Sequence, residues 1–129
     1  MKKPYTVLLV DDDEFLLGMY KKKFDKFGAK AEMCMGSILA LSKLREGASY
    51  DIIVLDIIMP GMDGMELLRK IREEKLSPNS LIIMLTNEST SSRIEEAKAL
   101  GVSGYIVKAT SVPSEVVEEI IKIADEMTG

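Results

Sequence analysis

The chain of 129 residues contains no histidine and no tryptophan, and it has one cysteine, Cys34. The absence of histidine excludes histidine-based catalytic triads, a phosphohistidine carrier and the usual imidazole sites for transition metals. A single cysteine excludes an internal disulfide, and the simplest interpretation of Cys34 is a small buried hydrophobic side chain. Oxygen atoms therefore remain as the metal ligands that this chain can offer.

Strong positive charge and long apolar runs are also missing. The net charge is −4, and the one basic run, residues 21–23, is interpreted as a solvated helix face. Because nucleic-acid binding depends on neutralising phosphates, we expect no nucleic-acid partner. No apolar leader begins the chain, and no run is long enough to cross a membrane. We therefore expect a cytoplasmic protein with one domain over residues 1–129 and no membrane partner.

Short apolar runs rich in β-branched residues alternate with helical patterns along the chain. Strands are predicted at residues 5–10, 30–35, 51–56, 80–86 and 103–108. Helices are predicted at residues 13–27, 37–46, 63–74, 90–100 and 113–127. This alternation favours right-handed crossovers and a parallel sheet with helices on both faces, an α/β fold. The apolar first, third and fourth strands are predicted to be central, and the second, "KAEMCM", to lie at an edge.

Polar side chains stand at the carboxyl ends of the predicted strands. The first strand ends in Asp11 and Asp12, the third in Asp56, the fourth in Thr86 and the fifth in Lys108. Ligands of open parallel sheets bind beyond these ends. Neighbouring carboxylates raise the cost of ionising one another unless a cation offsets their charge. Since Mg²⁺ prefers oxygen ligands from carboxylates, waters and phosphates, the pattern predicts a magnesium site.

Asp56 stands alone at the end of the third strand and is the candidate nucleophile. A carboxylate can attack a phosphoryl group and form an aspartyl phosphate when the charge of that group is neutralised from several sides. Mg²⁺ and Lys108 would neutralise it, and Thr86 could donate a hydrogen bond. A simpler interpretation is that Asp and Thr merely end strands or begin helices, which suits one such residue better than five on one sheet edge.

The segments around these residues resemble the response-regulator receiver domain of two-component signalling, of the single-domain kind typified by the chemotaxis regulator. "VDDDEF" resembles the acidic pair of that family, and "LDIIMPGMDGMELLRKIR" resembles its phosphoacceptor segment almost position for position. "IIMLTNE" and "GVSGYIVKA" resemble its threonine and lysine segments, so the resemblance covers essentially the whole chain. It implies a flavodoxin-like, doubly wound five-stranded parallel sheet of order 2-1-3-4-5 with five helices.

The resemblance also implies a source of phosphate and a ligand set. Asp56 would accept phosphate from a phosphohistidine on a sensor histidine kinase or a histidine phosphotransfer protein. Mg²⁺ would be bound by Asp11, Asp12, Asp56 and the main-chain carbonyl of Ile58.

The resemblance further implies a signalling switch that catalyses only its own phosphorylation and dephosphorylation and is not an enzyme. Thr86 and Lys108 would contact the phosphoryl group. Tyr105 matches the switch residue that turns inward when the threonine moves, and Asp63 matches a turn where it would cap the third helix. The downstream effector protein is left open.

Lys108-Ala109 departs from the family, which nearly always has Lys-Pro with a cis peptide bond. A cis bond costs about 0.5–1 kcal/mol before proline and about 2.5–4 kcal/mol before any other residue. We therefore expect a trans bond and a rerouted loop over residues 109–112, with Pro113 starting the last helix. Lys108 should still point at the phosphate, because a long stem carrying a point charge tolerates a modest backbone shift.

Two other functions remain open at this point. One is a phosphohydrolase that passes through an aspartyl phosphate. Such enzymes, however, typically have a DxD motif whose nucleophile lies on the first strand, together with a cap domain. The other is a degenerate receiver that binds partners without phosphorylation. Turnover of small phosphate esters would identify the first, and failure to accept phosphate would identify the second.

Several apolar side chains have two interpretations. The methionines, including Met59, Met65 and Met84, are predicted to fill the core rather than bind a soft metal. Phe15 and Met19, beside the acidic pair, are either part of the core or a contact for the helical bundle of a kinase.

Asp13 is interpreted as first-turn charge on the first helix.

Overall fold

The computed structural model describes residues 1–128. Its strands are β1 (Thr6–Asp11), β2 (Lys30–Met35), β3 (Ile52–Leu55), β4 (Leu81–Thr86) and β5 (Gly104–Val107). Its helices are α1 (Glu14–Lys26), α2 (Ser37–Arg45), α3 (Gly64–Glu73), α4 (Ser91–Ala99) and α5 (Pro113–Met127). Each predicted strand and helix is present, and the predicted ends differ from these by at most one residue.

The strands form a parallel sheet in the order β2-β1-β3-β4-β5, as predicted. The charged and apolar strand β2 lies at an edge, and the apolar strands β1, β3 and β4 are interior. Strand order reverses between β1 and β3, because β2 lies on the far side of β1. In open α/β sheets a ligand site forms at such a point, beyond the carboxyl ends of the two strands.

Each face of the sheet has its own core, because successive side chains of a strand point to opposite faces. Leu9 and Val54 lie on the face that packs against α1 and α5. Val10 and Leu55 lie on the face covered by α2 and α3. The predicted apolar stripe of α5 is buried against the first face at Val116, Val117, Ile120, Ile121 and Ala124. The same alternation carries the side chains of Asp11 and Asp56 to the α1 and α5 face.

Aspartates cap two of the helices that begin near the site. The Asp63 side chain accepts a hydrogen bond of 2.9 Å from the main-chain N–H of Glu66, which confirms the predicted cap of α3. Asp13 is the residue before α1 and accepts a hydrogen bond of 3.0 Å from the N–H of Leu16. Its role is therefore a cap and not only first-turn charge, and such a cap contributes about 1 kcal/mol.

The chain leaves β5 through a short 3₁₀ turn at Lys108–Thr110. No peptide bond between residues 1 and 128 is cis, so the predicted trans bond at Lys108-Ala109 is confirmed. The hydroxyl of Thr110 donates a hydrogen bond of 3.0 Å to the carbonyl of Val107, which closes the turn. Pro113 then begins α5, where its missing N–H costs nothing.

The simpler interpretation is confirmed for Cys34 and for three of the methionines, whereas Met1, Met35 and Met127 are exposed. Cys34 is buried in the core between the sheet, α2 and α3. Met59, Met65 and Met84 are buried in the same core. Phe15, by contrast, is 79% exposed in the first turn of α1. Within residues 1–128, no helix combines the length and apolar character that crossing a membrane requires.

Gly64 allows α3 to begin directly against the loop that follows β3. A Cβ atom at this position would lie 2.8 Å from the carbonyl carbon of Asp56 and from the Cα of Ile57, a distance that real Cβ atoms do not adopt. The N–H of Gly64 donates a hydrogen bond of 2.8 Å to the carbonyl of Ile57. Glycine is therefore required here by close packing of main chain on main chain.

We predict that Gly64→Ala lowers the free energy of unfolding by about 1–3 kcal/mol, because overpacking forces the backbone apart. Gly18→Ala is the matched control, since Gly18 lies inside α1 with open space around it. That control should raise the free energy of unfolding by about 0.5–1 kcal/mol. Urea unfolding measures both, and equal effects of the two substitutions would contradict the packing argument.

Candidate functional site

Three carboxylates meet at the point where strand order reverses. Asp11 ends β1, Asp12 follows it, and Asp56 comes directly after β3. Asp11 and Asp56 are buried, whereas Asp12 is exposed. Each offers a carboxylate oxygen, and these oxygens lie within 4.8 Å of one another. The structure therefore brings together the carboxylates that the sequence selected from strand ends.

Main-chain N–H groups hold the carboxylate of Asp11 in place. Its Oδ1 accepts hydrogen bonds from the N–H of Asp12 at 2.7 Å and from that of Asp13 at 3.1 Å. The Oδ1 of Asp56 has one longer contact of this kind, 3.4 Å from the N–H of Ile58. The turn at the end of β1 thus fixes the orientation of this buried carboxylate.

Lys108 links the two buried carboxylates. Its Nζ lies 2.5 Å from Oδ2 of Asp11 and 2.9 Å from Oδ2 of Asp56, and its side chain is 12% exposed. Burial disfavours the charged ammonium, but the hydrogen bonds to Asp11 and Asp56 outweigh burial and raise the pKa of Lys108. Lys108 is therefore a permanent positive charge at neutral pH, and it offsets part of the repulsion between the carboxylates.

The donor set fits a hard divalent cation. Carboxylate oxygens on two buried side chains and one exposed side chain are the ligands that Mg²⁺ prefers, and an open, exposed side leaves room for the waters that this ion retains. The side chain of Ile58 is 60% exposed, so it does not block the site. Its main-chain carbonyl remains a predicted ligand.

Thr86 and Tyr105 both contact the main chain of Glu88, which lies two residues after the threonine. Thr86 ends β4, is fully buried, and its Oγ1 accepts a hydrogen bond of 3.2 Å from the N–H of Glu88. The hydroxyl of Tyr105 donates a hydrogen bond to the main-chain carbonyl of the same Glu88. Burial raises the pKa of Tyr105, so it acts as a neutral donor. The segment between β4 and α4 is thus tied to both residues.

Two further residues lie near the site. Gly64, which with Asp63 matches a turn of the family, packs beneath the main chain of Asp56. The sequence analysis did not select the second residue, Tyr20. Tyr20 is buried on α1 and lines a small pocket together with Asp11 and Asp56. A tyrosine within the buried stripe of α1, beside Leu17, was the available signal, but the identity of its neighbours across the sheet depends on the fold.

Comparison with known proteins agrees with this arrangement. The chain matches the family model of the response regulator receiver domain over residues 7–121. It is 36% identical over 111 residues to the transcriptional regulatory protein ResD of Bacillus subtilis, a match that covers 86% of this chain and 44% of ResD. It is 34% identical over 125 residues to the chemotaxis protein CheY of Pseudomonas aeruginosa, covering 95% of this chain and 98% of CheY.

A solved structure supports the same relationship. The CheY-like response regulator receiver domain protein from Methanospirillum hungatei superimposes with a TM-score of 0.84 and 27% identity, and the match covers 96% of each chain. The chain spans less than half the length of ResD and nearly all of CheY. The chain therefore belongs to the response regulator receiver domain family, whose members are phosphorylation-dependent switches of two-component signalling.

Proposed function

We propose that this receiver accepts a phosphoryl group on Asp56 from a phosphohistidine of a sensor histidine kinase or histidine phosphotransfer protein, in a reaction that requires Mg²⁺. The observation that carries the proposal is the ammonium of Lys108 placed between Asp11 and Asp56 at the carboxyl ends of β1 and β3. A buried cluster of this kind costs free energy to desolvate, so its presence in a ligand-binding position favours a chemical role.

Asp56 would act as the nucleophile. A carboxylate oxygen of Asp56 forms a bond to phosphorus while the bond between phosphorus and the histidine nitrogen breaks, and that nitrogen keeps the electron pair and takes up a proton. The charge on the phosphoryl oxygens must be offset during this transfer. Asp11, Asp12, Asp56 and the carbonyl of Ile58 would hold Mg²⁺, which when bound supplies part of that positive charge.

Lys108 and Thr86 would complete the site around the transferred group. The ammonium of Lys108 already lies 2.9 Å from an oxygen of Asp56, so a small rotation of its flexible stem reaches a phosphoryl oxygen on that residue. The hydroxyl of Thr86 would donate a hydrogen bond to another phosphoryl oxygen. In doing so it would reorganise its present contact with the N–H of Glu88.

The contact at Glu88 offers a route from the phosphorylated site to a partner-binding face. The hydroxyl of Tyr105 is bonded to the carbonyl of Glu88, so a shift of that segment changes the position of the ring. Ala97 is the one buried residue within α4, which indicates that this helix moves at little cost. We therefore assign the output surface to the face made by α4, β5 and α5, and the effector that reads it is a protein.

The two other functions have less support. Receiver domains are signalling switches and are generally not classed as enzymes, and the nucleophile here follows the third strand rather than the first. A receiver that binds without phosphorylation would have no need for Asp11, Asp12, Asp56 and Lys108 to be assembled at one sheet edge.

We predict that acetyl phosphate with Mg²⁺ adds one phosphate to the chain and that Asp56→Asn prevents the addition, because an amide is a poor nucleophile. Intact mass spectrometry measures the adduct. Asp13→Asn is the matched control, since asparagine also caps helices and this residue lies beside the site. An adduct of unchanged amount in Asp56→Asn would place the nucleophile elsewhere.

We predict that Asp12→Ala weakens Mg²⁺ binding by about tenfold or more, because even outer-shell partners of metal sites change affinity by about 10–100-fold. An NMR titration of backbone amides gives the dissociation constant. Glu14→Ala removes a neighbouring negative charge that is not part of the carboxylate cluster, and it should change the affinity much less. Equal affinities for Asp12→Ala and the unmodified chain would remove Asp12 from the ligand set.

We predict that beryllium fluoride, a mimic of the phosphoryl group, shifts the amide resonances of Tyr105 and of residues 90–100 as well as those at the strand ends. Thr86→Ala should confine the shifts to the strand ends, because it removes the hydroxyl that couples the site to Glu88. Thr86→Ser should restore them. Shifts that stop at the strand ends in the unmodified chain would contradict a switch through this face.

A further inference from the structure

Tyr20 lies beneath the carboxylates on the same side of the sheet. It is 4% exposed and belongs to the core between α1, α5 and the sheet. Leu9 and Val54 belong to that core, and each lies two residues before one of the buried carboxylates, Asp11 and Asp56. Because side chains two apart in a strand share a face, the carboxylates form the layer directly above this apolar core.

A small pocket separates the two layers. Its volume is about 10 Å³, which is close to the space that the centre of one water molecule requires. Tyr20 and the two buried carboxylates line it together with apolar residues, namely Leu9, Val10, Leu17, Val54 and Leu85. Three of these lining residues have polar side chains: Tyr20, Asp11 and Asp56. A water in the pocket would therefore have three polar partners.

Tyr20 is the lining residue that brings a hydroxyl to this pocket, beside both buried carboxylates. Buried tyrosine hydroxyls usually have a hydrogen-bond partner, which a water in the pocket would supply. Burial is the main cause that raises the pKa of Tyr20, and the charges of Lys108, Asp11 and Asp56 affect it less.

We propose that Tyr20 is a positioning residue for phosphoryl transfer, its hydroxyl holding Asp11 and Asp56 in orientation through one water in the pocket between them. This inference rests on the proposed function of Asp56. At present Lys108 bonds both carboxylates, on Oδ2 of each. When the ammonium turns to the phosphoryl group, those oxygens lose a donor, and the water held by the hydroxyl of Tyr20 supplies a replacement from the buried side.

The test is the rate at which acetyl phosphate phosphorylates Tyr20→Phe at saturating Mg²⁺, followed by intact mass. The substitution keeps the ring and removes only the oxygen. We expect a rate about two- to tenfold lower than that of the unmodified chain, the range that loss of one hydrogen bond in the transition state produces. The free energy of unfolding, measured in urea, should stay the same or rise.

Tyr5→Phe is the matched control. Tyr5 is also fully buried, and its hydroxyl donates a hydrogen bond of 2.5 Å to Oδ1 of Asp125. Tyr5 directly precedes β1, so it lies at the end of the sheet opposite to the carboxylates. Loss of the Tyr5 hydroxyl should lower the free energy of unfolding and leave the phosphorylation rate unchanged. The pair of variants thus separates an effect on the site from an effect on stability.

A spectroscopic measurement gives a second result that a purely structural tyrosine would not produce. The chain has four tyrosines, so the ¹³Cζ resonances of labelled protein are few, and Tyr20→Phe identifies one of them. We expect the Tyr20 resonance to move when beryllium fluoride is added and the Tyr5 resonance to stay.

An unchanged phosphorylation rate in Tyr20→Phe, or a stationary Tyr20 resonance, would overturn the inference while Asp56 remains the acceptor. An unmodified chain that accepts no phosphate would overturn the proposed function and this inference together.

Discussion

Repulsion between carboxylates at the ends of two neighbouring strands is the constraint on which the site depends. Asp11 and Asp56 are buried side by side, and like charges this close repel unless a cation provides compensation. Lys108 provides it by bridging both from the end of β5, across the width of β4. Because one ammonium contacts two carboxylates and a third carboxylate, that of Asp12, lies beside them, the cluster has the oxygen-rich character that suits a divalent cation.

The doubly wound topology turns this local balance into a possible switch. Thr86 lies between the carboxylates and Tyr105 because β4 separates β3 from β5 in the sheet. Both residues are hydrogen-bonded to the main chain of Glu88, so one main-chain segment contacts Thr86 at the site and the hydroxyl of Tyr105. The helix that follows, α4, has one buried residue, Ala97, which packs in the core on the α2 and α3 face.

Placement of the lysine tolerates a change of backbone. The cis peptide bond before proline that is usual in the family is absent here, and the chain forms a 3₁₀ turn at Lys108–Thr110 instead. The ammonium nevertheless contacts both carboxylates, because a point charge on a flexible stem needs position but no fixed orientation. The demand on Gly64 is stricter, since main chain packs on main chain there and no rotation can relieve a clash.

Hydrophobic periodicity determined most of the fold and the chemistry of the strand ends. The apolar runs identified every strand and helix, and the polar residues that follow those runs identified Asp11, Asp12, Asp56, Thr86 and Lys108. These are local signals, since a buried strand needs apolar residues and a ligand edge needs polar ones. The order of the strands came from resemblance to a family, because periodicity does not specify which strands are neighbours.

Tertiary structure alone decided the contacts between distant segments. Three such contacts involve residues from different parts of the chain. Lys108 bridges two carboxylates, Thr86 and Tyr105 share the partner Glu88, and Tyr20 lies beneath the acidic cluster. Tyr20 was indistinguishable from any other buried residue of α1 until the sheet placed carboxylates above it. The reason is geometric: period and composition determine which way a side chain faces, whereas its partner depends on the register and packing of segments far apart in the chain.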